Sequence, residues 1–356
     1  MSLWPWWVPI LAILSVVASS ALPLTPWVLA GCGLVLVGAV IASVHHAEVV
    51  AHRLGEPMGT VVLSICVTVI EVALISTVML SGAPGAASLP RDTIFAVIMI
   101  SCGGVIGLSL IIGAGRHREQ AFNVLGSNAS LATLAAMTTL ALILPTFTTS
   151  SAGPTYTTAQ LVFASSASLA LWCGFVFVQT VRHRDYFVPV GDHRANLNVH
   201  APRPSVAQAM ASFGALLAAL IAVVGLAHQV SPSIESLVDQ TNLPKSVISV
   251  AIAMLTLLPE AWAAVRAALA NRIQTSLNLA LGSALASIGL TIPAMALASK
   301  LVGTTLVLGL APKELVLVVL AFFVTSITLV AGRTHLMLGL VHIVVFGAFL
   351  FLSLVP

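Results

Sequence analysis

Residues 67–76 read VTVIEVALIS and residues 255–265 read LTLLPEAWAAV. Each stretch sets one glutamate, Glu71 or Glu260, near the middle of an apolar run long enough to cross a bilayer. A charge at the bilayer centre costs at least about 2.5–3.5 kcal/mol on insertion scales. Two such residues must therefore face protein or water and find a counter-charge there. The other nine acids, Glu48, Glu56, Asp92, Glu119, Asp185, Asp192, Glu235, Asp239 and Glu314, fall in connections or within a turn or two of a helix end.

The surrounding chain explains why these two positions matter. Of 356 residues, 59% are hydrophobic and 7% are charged; a soluble domain carries about 25% charged residues. Mean hydropathy is +1.09. Such a chain cannot cover a surface that faces water, so the class is membrane. The net charge of +3 is too small to suggest a nucleic-acid partner. A span needs about 20 mostly apolar residues. Eleven candidates are found, at 4–22, 26–49, 59–81, 93–114, 122–145, 157–181, 205–227, 246–270, 275–298, 313–332 and 334–355. The N-terminal run lacks the positive stretch of a signal peptide, because no Lys or Arg precedes Arg53. It reads instead as a first spanning helix with interfacial Trp4, Trp6 and Trp7. Cys32, Cys66, Cys102 and Cys173 lie in different apolar segments, with no CxxC, and read as small buried residues.

Charge placement sets an expected orientation. With the N-terminus in the cytoplasm, Arg53, Arg116, Arg118, Arg182, Arg184, Arg194, Arg203, Arg266, Arg272 and Arg333 lie inside. Arg91, Lys245, Lys300 and Lys313 lie outside, and the odd helix count puts the C-terminus outside as well. Internal symmetry comes next. Residues 101–109 read SCGGVIGLS and residues 283–291 read SALASIGLT, both fitting S-x4-IGL-[ST]. Each follows a lone mid-span glutamate by one helix. Thr68 precedes Glu71 by three residues and Thr256 precedes Glu260 by four. The expected architecture is an all-α polytopic membrane protein of about eleven transmembrane helices. It comprises an extra N-terminal helix over 1–22, a five-helix repeat over 23–181, a cytoplasmic linker over 182–204 and a second five-helix repeat over 205–356. Five is odd, so the two halves are inverted, which is the plan of many secondary transporters with a site at the midplane.

Two carboxylates brought together at low dielectric cannot both ionise easily. A divalent cation holds them ionised and displaces their protons. Cation and proton then compete for one site, which is the physical core of antiport. The plainer alternative is two protonated glutamates serving as hydrogen-bond donors between helices. Pro259, directly before Glu260, removes a helix hydrogen bond and frees backbone carbonyls as ligands. Calcium takes six to eight oxygens, so the hydroxyls of Thr68, Thr256, Ser101 and Ser283 are candidates beside water and carbonyls. Each of those hydroxyls has the alternative of bonding to its own helix. Gly103, Gly104, Gly107, Gly282 and Gly289 are expected to allow close helix packing rather than to touch the ion. In HHAEVVAH, residues 45–52, His45, Glu48 and His52 share one helical face. They read either as a metal or pH-sensing regulatory cluster or, more plainly, as a polar helix end. His342 is the one histidine deep in a span, a satisfied bundle residue or a proton relay. No HExxH, P-loop or nucleophile elbow is present, so an enzyme is not expected.

Four segments carry a resemblance. They are GEPMGTVVLSICVTVIEVALIS (55–76), RDTIFAVIMISCGGVIGLSLIIG (91–113), LPEAWAAVRAALANRIQTSLNLALGSALASIGLTIP (258–293) and GRTHLMLGLVHIVVFGAFL (332–350). They resemble the cation/proton exchanger branch of the calcium/cation antiporter superfamily, and within it the bacterial ChaA-type calcium (sodium, potassium)/proton antiporters. The likeness runs over roughly 40–355, and the two glutamate motifs are its specific part. It implies ten core helices in two inverted repeats plus one N-terminal helix. It also implies a location in a bacterial inner membrane and cation and proton binding at Glu71 and Glu260, with Ser283 and its repeat counterpart Ser101 in the two motifs. The chain departs from the branch in two places. Its central loop is basic where many exchangers carry an acidic run, and its first motif has VIE where the second has LPE. The function expected is calcium efflux driven by inward proton flow, with sodium or potassium/proton exchange as the alternative. No cofactor is expected, and the partners are the lipid bilayer and inorganic cations; a homo-oligomer is left open.

Overall fold

A computed structural model describes residues 3–21, 25–54, 58–80, 86–189, 204–241 and 244–355. Eleven helices run through them, one for each apolar stretch expected to span. They are α1 (Trp4–Ala21), α2 (Pro26–Leu54), α3 (Met58–Leu80), α4 (Leu89–His117), α5 (Val124–Phe147), α6 (Thr158–Arg182), α7 (Val206–Gln240), α8 (Ser246–Leu269), α9 (Ile273–Leu301), α10 (Pro312–Val330) and α11 (Leu336–Leu354). Among the described residues, nine are long and apolar enough to cross a membrane, and shorter apolar runs, Trp4–Ser20 and Ile65–Met79, lie in α1 and α3. Helices dominate because a backbone in hydrocarbon has no water to bond and must satisfy its own amides. Large apolar side chains face outward along them, Trp27, Leu34, Leu301 and Val344 among others. Lipid tolerates such a surface; water does not. Helix α7 runs well beyond the expected end at 227, through Pro232 to Gln240. Most of the linker expected over 182–204 lies outside the described residues.

The chain divides into two compact units. The first spans Met1–Ala86 and Ala201–Lys245 and holds α1, α2, α3 and α7. Its most extensive packing joins α2 to α7, with α1 and α3 also against α7. Small buried residues recur on α2 at Ala39, Ala42, Ser43, Ala47 and Ala51, and Ala219 and Ala222 are fully buried on α7. Small residues let membrane helices approach closely, which is how they gain dispersion energy without a hydrophobic drive. Polar contacts pin α1 in place. Ser19 bonds to the Gln229 side chain, Gln229 Nε2 donates to Val16 O at 3.0 Å, and His46 Nε2 donates to Pro5 O at 2.9 Å.

The second unit spans Ala87–His200 and Ser246–Pro356 and holds α4, α5, α6 and α8 to α11. Helix α4 is its axis: 89% of its apolar window is buried inside the protein, against 61% for α9 and no more than 44% for the others in this unit. It packs against α8, α9, α10 and α11. Gly103, Gly104 and Gly107 make this possible. A Cβ on Gly103 would sit 3.0 Å from Phe346 Cβ, and one on Gly107 would sit 3.0 Å from His342 Cβ. On α9, a Cβ at Gly289 would lie 2.5 Å from Trp172 Cβ. Gly282 differs from the expectation, since a Cβ there would meet nothing within 4 Å. The four thiols are free, but they are not uniformly buried: Cys66 is half-buried and Cys173 exposed.

Amide side chains bind the connections of this unit together. Gln120 Nε2 donates to Ala268 O at 2.9 Å, and Asn123 N to Gln274 Oε1 at 2.7 Å. Gln274 Nε2 donates to Asn278 Oδ1 at 2.9 Å, and Asn278 Nδ2 to Phe187 O at 2.7 Å. A short antiparallel pair, β1 (Gln120–Ala121) with β2 (Arg333–Thr334), aligns Gln120 with Thr334 and Ala121 with Arg333.

The glycine contrast is testable. Gly289→Ala should lower stability by about 1–3 kcal/mol through overpacking against Trp172. Gly282→Ala should be neutral or stabilising by up to about 1 kcal/mol, because alanine is the better helix former. Apparent melting temperatures of the detergent-purified variants distinguish the two; equal loss would contradict the packing described.

Candidate cation and proton site

Within the first unit, α3 carries Thr68 and Glu71 one turn apart, and both are buried, Glu71 to 2% exposure. A carboxylate so enclosed on an apolar helix is the rarest kind of buried residue. Within the second unit, α8 carries Thr256 and Glu260 one turn apart. Thr256 is buried and Glu260 half-buried, with its Oε2 atom enclosed. Helix α8 passes through Pro259 without interruption from Ser246 to Leu269. The backbone break expected at Pro259 is therefore not an unwinding. Proline in a spanning helix removes one hydrogen bond, and neighbouring helices hold the rest of the turn together.

The irregularity lies instead in the two helices that follow the glutamate helices. Helix α4 contains a π turn at Ile100–Val105 and α9 contains one at Ser287–Thr291. Both fall inside the repeated S-x4-IGL-[ST] motif. A π turn shifts the hydrogen-bond ladder to i→i−5, and such turns gather at functional positions. Sequence reading missed them; the paired glycines Gly103 and Gly104 were the only available hint. The π turn of α4 packs against both α8 and α9. The second unit thus brings together the helices bearing Ser101, Thr256, Glu260 and Ser283.

The hydroxyls are not equivalent. Thr256 Oγ1 bonds to its own helix, at 3.1 Å from Ile252 O and 3.2 Å from Ala253 O. Ser101 is 1% exposed and its Oγ has no hydrogen-bond partner. Ser283 is half-buried. Ser109 and Ser249, which sequence reading passed over, are also fully buried on α4 and α8 with unpartnered hydroxyls. An unsatisfied buried hydroxyl costs about 1–3 kcal/mol, which a bound polar species would relieve. Among the described residues no group of three or more His, Cys, Asp or Glu side chains is arranged to hold a metal ion. The donors these helices carry are carboxylate, hydroxyl and carbonyl oxygens, the ligand type that hard ions take.

The 45–52 cluster does not close around a metal. His45 lies against Trp4, with ring centroids 5.8 Å apart, and Glu48 is exposed. Its neighbour His46, not singled out from sequence, is the buried one and stands edge-on to Trp6 at 5.0 Å. His342 is buried with both ring nitrogens engaged, Nδ1 with Cys102 O at 2.6 Å and Nε2 with Thr328 Oγ1 at 3.0 Å.

A helical membrane protein with a buried acid on α3 and a half-buried one on α8, each helix followed by one with a π turn in a repeated motif, has the build of an ion-exchanging secondary transporter. Comparison with known proteins gives the same class. The chain matches the family described as sodium/calcium exchanger protein over residues 24–181 and 211–355. It is 47% identical over 360 residues to the y4hA protein of Sinorhizobium fredii, named an ionic transporter, covering 99% of this chain and 96% of that one. It is 33% identical over 346 residues to the sodium-potassium/proton antiporter ChaA of Escherichia coli, covering 96% of this chain and 93% of that one. Its fold is similar to that of native YfkE, with a TM-score of 0.75 at 16% identity, covering 99% of this chain and all of that one; a selenium-substituted form of YfkE is named a Ca2+/H+ antiporter protein. The chain belongs to the sodium/calcium exchanger family. It is an integral membrane secondary transporter of inorganic cations, and not an enzyme.

The hydroxyl inventory generates a prediction. Ser101→Ala should leave the melting temperature unchanged or raised, since it removes an unsatisfied group. It should nonetheless weaken cation binding measured by isothermal titration. Thr256→Val should change cation affinity by less than about threefold, because its hydroxyl already bonds to the helix.

Proposed function

We propose that this chain carries calcium out of the cell in exchange for protons moving in, with cation and protons competing for Glu71 and Glu260. The observation that carries the reading is the placing of these two acids. Glu71 is almost wholly enclosed on α3, and Glu260 stands mid-helix on α8, a helix that packs against the π turn carrying the unsatisfied Ser101. A proton or a cation can each compensate the charge of a carboxylate at low dielectric, and a bound cation displaces the proton from the oxygens it holds. Because the same oxygens serve both, the two species take turns, and alternating access converts competition into exchange.

Support for calcium comes from the likeness to YfkE and from the hard oxygen ligands available. A second reading, sodium or potassium/proton exchange, is favoured by the relative that shares 33% identity, since ChaA is named a sodium-potassium/proton antiporter. Two halves, 23–181 and 205–356, inverted about a midplane site, are supported by the family match in two segments and by the paired motifs. The charge distribution supports a cytoplasmic N-terminus.

In everted vesicles with a preset proton gradient, acid inside, added calcium should dissipate the gradient. Glu71→Gln and Glu260→Gln should each reduce this to the level of empty vesicles while the protein still elutes as a folded species. Retained exchange in either variant would sink the assignment of that glutamate. Sodium and potassium in the same assay identify the substrate: a response to them alone, without calcium, selects the second reading.

A further inference from the structure

The proposed exchange makes no use of His342, a buried histidine in the spanning helix α11. It is 1% exposed on α11, and its Nδ1 lies 2.6 Å from the carbonyl oxygen of Cys102. A carbonyl offers no proton, so Nδ1 carries the hydrogen and donates. The reason this carbonyl is available lies in the π turn. In a regular α-helix the Ile106 amide would bond to the carbonyl four residues back, that of Cys102. In α4 the Ile106 amide turns instead to the carbonyls of Ser101 and Gly103. Cys102 O thus loses its α-helical donor, and the His342 ring supplies one. The other ring nitrogen, then an acceptor, stands 3.0 Å from Thr328 Oγ1 on α10, whose one hydrogen can go to it or to Val324 O, also at 3.0 Å. Cys102 is the other titratable side chain in this cluster, its thiol hydrogen-bonded with Thr325 on α10.

The backbone is shaped to admit this ring. A Cβ on Gly107 would fall 3.0 Å from His342 Cβ, and one on Gly103 would fall 3.4 Å from His342 O. The corresponding glycine of the second motif, Gly289, is filled from the other side by Trp172 of α6. That partner is an indole, which packs without titrating. In the first motif the π turn is tied by a side-chain hydrogen bond to His342, and the residue next to the tied carbonyl is Ser101, buried with an unpartnered hydroxyl.

We propose that His342 is a positioning residue: by donating Nδ1–H to Cys102 O it stabilises the π turn of α4 and fixes where Ser101 presents its hydroxyl to the transported cation. The proposal rests on the antiport reading for its functional consequence, and on the geometry alone for its structural one. It differs from a proton relay, in which His342 would take up and release the transported proton, and from simple filling of a gap between helices.

Two substitutions separate these roles. The amide nitrogen of asparagine reaches where Nδ1 stands, and that of glutamine reaches where Nε2 stands. His342→Asn therefore keeps the donor to Cys102 O, and His342→Gln keeps the neighbour of Thr328 but loses that donor. With detergent-purified protein, hydrogen exchange of a peptide covering residues 100–106 should quicken in His342→Gln and match wild type in His342→Asn. In everted vesicles, His342→Gln should raise the apparent KM for the cation about tenfold, equivalent to ~1.4 kcal/mol, with its pH profile unshifted. His342→Asn should stay within about twofold of wild type. Equal exchange rates in both variants would overturn the proposal whether or not the protein transports. Loss of transport in both, with a displaced pH profile, would overturn it in favour of a relay. If wild type itself shows no cation-dependent proton flux, the antiport reading fails, and the exchange measurement still decides whether His342 holds the turn.

Discussion

A helix already in hydrocarbon gains nothing hydrophobic by touching another, so the second unit must be held by close contact and by polar groups that lipid cannot serve. Helix α4 meets that constraint most completely. It is enclosed by four neighbours, and its glycines bring α11 close enough for ring and carbonyl to bond. Dispersion grows steeply as surfaces close the last half-ångström, which is why the motif glycines matter more than their lack of a side chain suggests. In so close a packing a polar group either finds a protein partner or stays unsatisfied at a cost. Engaged Thr256 and unengaged Ser101 mark the two outcomes.

The large features were readable because they follow from period and polarity. Eleven apolar runs produced eleven helices, and two acids without an excuse to be in the bilayer stand on two of them. What could not be read depends on partners distant in sequence. The π turns at Ile100–Val105 and Ser287–Thr291 are set by which amide bonds to which carbonyl, and residue identity barely records that choice. Pro259 looked like the breaking point, yet α8 runs through it, because one lost hydrogen bond is tolerable when helices on either side hold the turn. Gly282 and Gly289 sit in one motif and look alike on paper. One faces open space and the other lies against an indole. Likewise His45 was visible from its spacing, while His46 earned its place only through the carbonyl of Pro5, about forty residues earlier in the chain.

The division into compact units follows packing rather than chain order. The first unit combines three helices from the beginning of the chain with α7 from beyond the linker, and the second interleaves the rest. Within the second unit, an amide chain from Asn123 through Gln274 and Asn278 to Phe187, and a separate bond from Gln120 to Ala268 O, tie connections that lie far apart in sequence. They link the start of α5 to the start of α9, and the connection after α4 to the end of α8.

Helix α11 supplies more than the imidazole. Its Leu352 carbonyl accepts from Lys313 Nζ at 3.2 Å, and its Ser353 carbonyl accepts from Ser246 Oγ at 3.1 Å. The segment that completes the surroundings of α4 is therefore made more than two hundred residues after α4 itself. Ribosomes add about 5–20 residues each second, so for ten seconds or more after it emerges the glycine face of α4 has no final partner. During biogenesis the fourth helix must be sheltered by the insertion machinery or by provisional neighbours, and the core of the second unit sets only once α11 has entered the membrane.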